Sequence, residues 1–517
     1  MSSPRPDILF LVLDTQRADR LSCYGYSQPT SPHIDALAAQ ATRFQTAVAP
    51  AQWTVPSHAS MFTGLYPSQH SVLQSYSVLP QELSTLAERL AAGGYFTAGF
   101  CNNPLVGVIN NGLRRGFQSF LNYSGLLTSH PNQAGQRPGL MGHYRQFFKR
   151  TLAKLLNQVQ DAFARSEWLL ALSLHPIMVP LWQTALSFKG NTQKSLADTA
   201  RLLIDRPSVA AKQPIFAFVN LMGTHMPYHP PLSYIEKFAP HVLRDPEARK
   251  YLRNFNGDVY GWLAPLAGPL PENQKQTLDG MYDAEVAHQD AQLGVFFEQL
   301  KASGRLDNTL VIICSDHGEH LGEKDFIGHS LSLYNELVRV PLIIRDPSGQ
   351  LPQGTTPEHV VSTRRLFHTV LNAAQLATPE EQELSLTADA TSDPEQNRVF
   401  SEGVPPQNVL NLLHKRQPEL ITERACDQPR RAVWMGNHKL IETGRDRLEL
   451  YDICEDPDES LNLSDILPEN VELLQDCLAL LTDTEEQQDS LNLAQRAPGF
   501  DDPEVQRRLR DLGYLED

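Results

Sequence analysis

In this 517-residue chain, five residues able to bind a cation, contact an anion or move a proton fall at the ends of short apolar runs. Asp14 closes Asp7–Asp14 (DILFLVLD) and Asn103 closes Phe96–Asn103 (FTAGFCNN). His225 closes Ile215–His225 (IFAFVNLMGTH), and Asp316 with His317 closes Leu310–Asp316 (LVIICSD). Runs of this length and β-branched content read as buried strands. Ligands of an open, wound sheet gather outside the carboxyl ends of its strands, so these residues are expected on one edge. Each alone would serve equally as a turn or cap residue. Together, two carboxylates and an imidazole make a donor set for a divalent cation of hard to borderline character.

A second piece is Trp53-Thr-Val-Pro-Ser-His-Ala-Ser-Met-Phe62. Pro56 suits the first turn of a helix, which places Thr54 at or just before the helix N-terminus. The Thr54 hydroxyl there either caps the helix or meets an anion together with the first-turn N–H groups and the helix dipole. The local sequence leaves both open.

The elements that must hold these residues alternate. Val340–Asp346 (VPLIIRD) is a fifth strand candidate, and helical patterns cover His33–Phe44, Leu83–Ala92 (stopped by Gly93-Gly94) and Tyr282–Leu300. Apolar strands between helices indicate an α/β fold with a parallel or mixed sheet covered on both faces. Residues 124–200 interrupt the pattern as a helical insertion. It contains a basic stretch, Tyr144–Lys154, and the apolar stretch Trp168–Trp182, broken by Pro176 and Pro180. That stretch is shorter than the about 20 residues needed to span a bilayer, so a buried or lid helix is expected. The polar segment Thr378–Asn397 reads as a linker. After it, Arg431–Leu440 and Leu448–Ile453 read as strands and Glu469–Asp483 as a helix, giving an expected division into 1–385 and 386–517.

Composition bounds the partners. The net charge is -16, and residues 441–517 carry 22 acids against 6 bases, so the first 440 residues are balanced. Nucleic-acid binding is not expected, and an anion-handling site belongs in the balanced part. Six scattered cysteines without CxxC spacing suit a reducing compartment. The run Ile8–Leu13 is too short for a signal-peptide core. A cytoplasmic protein without membrane contact is expected, and an oligomer is compatible with the sequence.

Several ordered motifs carry a family resemblance. They are Asp14-Thr-Gln-Arg-Ala-Asp, Trp53-Thr-Val-Pro-Ser-His, Asn220…His225-Met-Pro-Tyr-His-Pro, Cys314-Ser-Asp-His-Gly-Glu and Gly328-His…Leu333-Tyr-Asn-Glu-Leu-Val-Arg-Val-Pro-Leu. Lys439-Leu-Ile…Leu450-Tyr-Asp-Ile-Cys-Glu-Asp-Pro-Asp-Glu…Asn462-Leu and the closing Leu512-Gly-Tyr-Leu continue the series. The chain resembles the sulfatase family of the alkaline phosphatase superfamily. The resemblance implies an alkaline phosphatase-like mixed, mostly parallel sheet with helices on both faces, and a smaller C-terminal α+β domain. It implies that Asp14, Asp316 and His317 hold a divalent metal (Ca, Mn, Mg or Zn, one per chain), with Thr15 where a second metal-binding aspartate usually stands. Thr54 takes the nucleophile position. His225 and His329 are expected to contact the sulfate or phosphate, His329 replacing a usual lysine. Both histidines are expected near their ordinary pKa of about 6.5. His58, in place of the motif's arginine, and Asn103 are expected at the substrate.

The departures shape the function expected. Sulfatases oxidise Cys or Ser to formylglycine, and the β-methyl of Thr54 blocks formation of that aldehyde. Relatives that use an unmodified threonine transfer phosphoryl groups. The expectation is metal-dependent hydrolysis of a small anionic sulfate or phosphate ester with Thr54 as unmodified nucleophile. Phosphodiester or phosphonate monoester hydrolysis, and phosphotransfer, are alternatives in the same class, and a catalytically silent binding protein of this fold is the rival. A second metal drawing on His229, His320 or Asp283 is not expected. Trp53, Tyr334 and Glu336 are expected to be structural, and Arg17 with Asp19 to form a local ion pair.

Overall fold

The computed structural model describes residues 5–124, 132–133, 189–207, 212–257, 265–444 and 446–482. Its centre is an eight-stranded sheet in the order Thr42–Arg43, Leu342–Arg345, Thr309–Cys314, Asp7–Leu13, Ile215–Leu221, Phe96–Cys101, Ser119–Asn122, Asn132–Gln133. The five strands from Thr309–Cys314 to Ser119–Asn122 run parallel. Leu342–Arg345, Thr42–Arg43 and Asn132–Gln133 attach antiparallel.

The period of two along a strand accounts for the layering. Leu9, Leu11 and Leu13 face one core with Ile34, Leu196, Ile235 and Leu293, which lie on helices. Ile8, Phe10 and Val12 face the other, with Val55, Phe62, Leu90 and Val370. Both faces of the central strand are therefore dry. The mixed, mostly parallel sheet expected from sequence is present.

Element boundaries moved for identifiable reasons. The first expected helix stops at Ala38 (Pro32–Ala38), because Thr42 and Arg43 pair with Ile344 and Ile343 at the sheet edge. Its N-terminus is capped from afar by Asp290, which accepts from the His33 and Ile34 N–H groups. Leu86–Ala92 begins where Thr85 and Glu88 close a capping box. Glu272–Ala302 starts ten residues before Tyr282, with a polar first turn and only Leu278 and Met281 of the added turns joining the core.

The C-terminal part is a four-stranded antiparallel sheet, Val399–Gly403, Arg430–Met435, His438–Thr443 and Arg447–Asp452. The single strand expected over Arg431–Leu440 is in fact a hairpin. Gly436 (φ 60°) supplies the left-handed residue that a two-residue turn demands. One face of this sheet packs under the helix Pro468–Thr482, and the other packs against Val48, Leu333, Leu337 and Val338. At that second contact Lys439 and Glu459 form an ion pair with both side chains at 0 % exposure. The Lys439 ammonium also donates to the Leu333 carbonyl (2.8 Å) and Asn335 Oδ1 (3.2 Å), with its Nζ 4.8 Å from the Trp434 ring centroid. Glu459 accepts from the Asn335 N–H at 2.7 Å.

The polar segment read as a linker is ordered and tied down. Arg89 pairs with Glu381 (2.8 Å), Arg365 with Asp393 (2.6 Å), and Arg364 with Glu395. Its acids are partners of basic residues more than 25 positions away, which composition does not reveal. Tyr144–Lys154, Trp168–Trp182 and Leu512-Gly-Tyr-Leu lie outside the described residues. Among the described residues no helix is long and apolar enough to cross a membrane.

Candidate active site

Asp14, Asp316 and His317 meet at the carboxyl ends of the two adjacent strands Asp7–Leu13 and Thr309–Cys314. Each offers a ligand atom within 4.8 Å of the others, and all three are fully buried. The Asp14 N–H bonds the Leu221 carbonyl (2.8 Å), which ties this edge to the third strand. Ser315 holds the turn by donating to the Leu13 and His317 carbonyls and accepting from the Gln16 N–H.

The donor atoms are aimed. Asp14 Oδ2 accepts from Asn103 Nδ2 (2.7 Å) and Asn220 Nδ2 (3.1 Å), while Oδ1 has no hydrogen-bond partner among the described residues. Asp316 Oδ1 accepts from the Thr15 and His317 N–H groups, while its Oδ2 likewise lacks a hydrogen bond. His317 Nδ1–H donates to the Gly318 carbonyl (2.9 Å), so Nε2 presents its lone pair. Burial, and for Asp14 also the neighbouring Asp316 charge, raises both carboxyls to about 7. Two orphaned buried carboxylate oxygens and the lone pair of one imidazole nitrogen fit a divalent cation. Among the described residues no second cluster of ligand-type side chains forms. His320 donates toward Ser332, and Asp283 is engaged by Arg20 and Tyr26.

Thr54 is the first residue of the helix Thr54–Thr63. Its hydroxyl lies 3.2 Å from His317 Nε2 and also hydrogen-bonds to the Asp316 carboxylate. Ser57 donates to the Asp316 carbonyl (2.7 Å), which locks this helix end to the metal-type cluster. The first-turn N–H groups have no intrahelical acceptor and, with the dipole, favour an anion at this end.

The other expected residues are placed as follows. Thr15 has φ 61°, a strained conformation for a β-branched side chain. Tyr282 holds it by donating to the Thr15 carbonyl (2.7 Å) and accepting from the Arg17 N–H (2.9 Å). Thr15 gives its N–H to Asp316, and its Oγ1 makes no hydrogen bond among the described residues. His58 lies one turn beyond Thr54, with Nδ1 on the Thr54 carbonyl (2.9 Å) and Nε2 toward Asn220. Asn103 caps Pro104–Gly107 through Leu105 N–H and orients Asp14. Arg17 and Asp19 form the expected ion pair (2.7 Å).

His225, His317 and His329 form a wall, His225 edge-on to His329 (ring centroids 4.9 Å apart) and His317 tilted against it (4.5 Å). The expectation of ordinary pKa values fails here. Burial lowers His317 and His329 to about 4 and pushes His225 well below its usual range, with His329 adding repulsion at His317 and His225 and Asp14 partly opposing the fall at His329. Sequence reasoning assigned no role to Asn220, a polar residue inside an apolar strand, or to Glu319, whose carboxylate meets His329 Nδ1 at 2.6 Å. It also missed Lys189, which reaches Glu285 (2.6 Å) and the Gly223 carbonyl (2.9 Å). Asn220 had a usable signal in its position. Lys189 had none.

Comparison with known proteins agrees with this geometry. The sequence pattern of the family described as Sulfatase matches residues 6–376. The uncharacterized sulfatase YidJ of Escherichia coli (strain K12) is 26% identical over 392 residues, covering 73% of this chain and 69% of the relative. An arylsulfatase of Clostridium perfringens is 22% identical over 391 residues, covering 73% and 77%. The solved phosphonate monoester hydrolase of Agrobacterium radiobacter superposes with a TM-score of 0.62 at 20% identity, over 93% of this chain and 96% of that one. A matched family pattern over most of the length, on a mixed, mostly parallel sheet, leaves one assignment: the chain belongs to the sulfatase family and is an ester hydrolase.

Proposed function

We propose that the protein hydrolyses a small phosphodiester or phosphonate monoester with unmodified Thr54 as nucleophile and one divalent metal held by Asp14, Asp316 and His317. The observation that carries this reading is the Thr54 hydroxyl at a helix N-terminus, 3.2 Å from His317 Nε2, beside two carboxylates with orphaned oxygens. The metal, when bound, supplies Lewis-acid stabilisation of charge on oxygen. The chain's own residues do the rest. The Thr54 proton has its acceptor in the Asp316 carboxylate, and the Oγ1–P bond forms as the P–O bond to the leaving group breaks. The helix N-terminus faces the charge that develops on the nonbridging oxygens. His225 and His329 bracket the group and exchange protons with the leaving oxygen and then with the water that cleaves the Thr54 ester.

Phosphorus is preferred over sulfur because the Thr54 β-methyl excludes the aldehyde that sulfuryl transfer uses in this family. Sulfate ester hydrolysis is the second reading, favoured by the sulfatase relatives. The six cysteines stand as thiols, which supports a cytoplasmic setting. The test assays p-nitrophenyl sulfate, p-nitrophenyl phosphate, bis(p-nitrophenyl) phosphate and p-nitrophenyl phenylphosphonate with wild type and Thr54→Ala. Turnover of the diester or phosphonate should fall by about 10⁴-fold or more in the variant. Full activity in Thr54→Ala removes the nucleophile, and efficient sulfate turnover without diester turnover removes the phosphoryl preference.

A further inference from the structure

Glu319 is a buried acid with no assigned task. Its side chain is 0 % exposed, and a carboxylate so placed is destabilising unless it is partnered. Anchoring the loop is not what it is for, because its backbone already does that. Its N–H bonds the Glu336 carbonyl (3.0 Å), its carbonyl accepts from Arg17 Nη1 (3.1 Å), and the preceding Gly318 N–H bonds Leu337 (2.7 Å). The carboxylate turns instead to the histidine wall. Oε1 lies 2.6 Å from His329 Nδ1, and the Met226 N–H, next to His225, supports the same carboxylate.

We propose that Glu319 is the positioning residue for His329, holding the imidazole so that Nε2 is the nitrogen presented to the leaving-group oxygen. This rests on the phosphoryl-transfer reading above. With one proton in the Oε1–Nδ1 bond and one on Nε2, the pair is neutral. As the P–O bond breaks, its electron pair stays on the leaving oxygen, which takes the Nε2 proton, and the Nδ1–H then faces a full carboxylate. The incoming water returns a proton to Nε2 as its oxygen bonds phosphorus and Thr54 departs. Glu319 never touches substrate. It selects the tautomer and the ring angle, as carboxylates do for catalytic and metal-bound histidines.

The test uses the full chain, with Glu319→Ala, Glu319→Gln, His329→Ala and the double variant, on phosphodiesters that carry p-nitrophenol or phenol as leaving group. Because p-nitrophenolate leaves without a proton, Glu319→Ala should lower kcat for the phenyl ester by about 10²-fold or more and for the nitrophenyl ester by less than about 10-fold, with KM little changed. Glu319→Gln can donate its amide N–H to Nδ1, which keeps the proton of a neutral imidazole on Nε2, and should recover most of the loss. The double variant should be no worse than His329→Ala, since the two act as a unit. Equal losses on both leaving groups, or additive losses in the double variant, overturn the proposal. Should Glu319→Ala not fold, Glu319→Gln against His329→Ala still decides it: a glutamine variant as slow on the phenyl ester as His329→Ala denies the rescue. Thr54→Ala reports separately on the nucleophile, so the two readings fail independently.

Discussion

Two buried charged clusters in this molecule are built on opposite principles. At the strand ends, Asp14 and Asp316 stand together with no lysine or arginine as ion-pair partner among the described residues, and each keeps one oxygen without a hydrogen bond. At the C-terminal sheet, Lys439 and Glu459 are equally buried, yet opposite in sign and satisfied by Leu333, Asn335 and each other. The first cluster opposes the metal-free fold and is held by imposed geometry: the Asn103 and Asn220 amides, the Ser315 turn and the strained Thr15. The second is complete as folded. Burial alone therefore does not mark a functional site. A buried charge left incomplete does.

The contrast is broken most strongly at the complete cluster. Lys439→Met strands Glu459 in a dry interface and should cost about 3–5 kcal/mol in denaturant unfolding. Pairing it with Glu459→Leu should recover most of that loss, and a single variant as stable as wild type would show the pair to be dispensable.

The incomplete cluster should show the opposite sign toward charge. In metal-free protein the carboxyls of Asp14 and Asp316 titrate near 7 against 3.8 when unfolded, so their contribution to stability is present below about 4. It is lost as pH rises through about 7. The Tm of chelator-treated protein should fall between pH 5 and pH 8, Asp14→Asn should flatten the fall, and the gain in Tm on adding a divalent cation should grow over the same range. A chelated protein whose Tm rises across that window would contradict it.

A smaller effect is expected one layer out. Asn103→Ala leaves Asp14 in place but releases its 2.7 Å hydrogen bond, and should weaken metal affinity by about 10- to 100-fold in a competitive titration. Unchanged affinity would mean that Asn103 serves the substrate alone. Least of all, Arg89→Ala should cost at most about 1 kcal/mol, because the Arg89–Glu381 pair is partly exposed. A larger loss would make the acidic segment after Thr378 a true support of the fold.

What sequence revealed follows the same division. Asp14 and Asp316-His317 were legible because a charged residue ending an apolar strand has few alternatives, and Thr54 because Pro56 marks a first helical turn. The partners that complete the site were not. Glu319 and His329 are ten positions apart, facing each other at the open end of the short antiparallel pair His320–Leu321 and Ile327–Gly328, and Asp290 caps a helix more than 250 residues upstream. Two-residue strands are too short to show a period in the sequence, and the Asp290 contact is not local at all. The histidine pKa values were misjudged for a related reason, since desolvation is a property of the packed wall and not of any motif. The hairpin at Gly436 was hidden because both of its strands are apolar enough to read as one.

The Lys439–Glu459 pair also has a meaning in time. The segment from His329 to Asn335 is fastened by residues that leave the ribosome 110 to 130 positions after His329. At roughly 5–20 residues per second, that is a delay of roughly 5–25 seconds. During that interval Asp14, Thr54 and His317 are already synthesised, while the segment 329–335 lacks its contacts to Lys439 and Glu459. Nascent chains stalled so that residue 459 is still inside the exit tunnel should be cut by protease between 329 and 336, and chains that expose it should resist. Equal cleavage would show that the loop sets without its anchor.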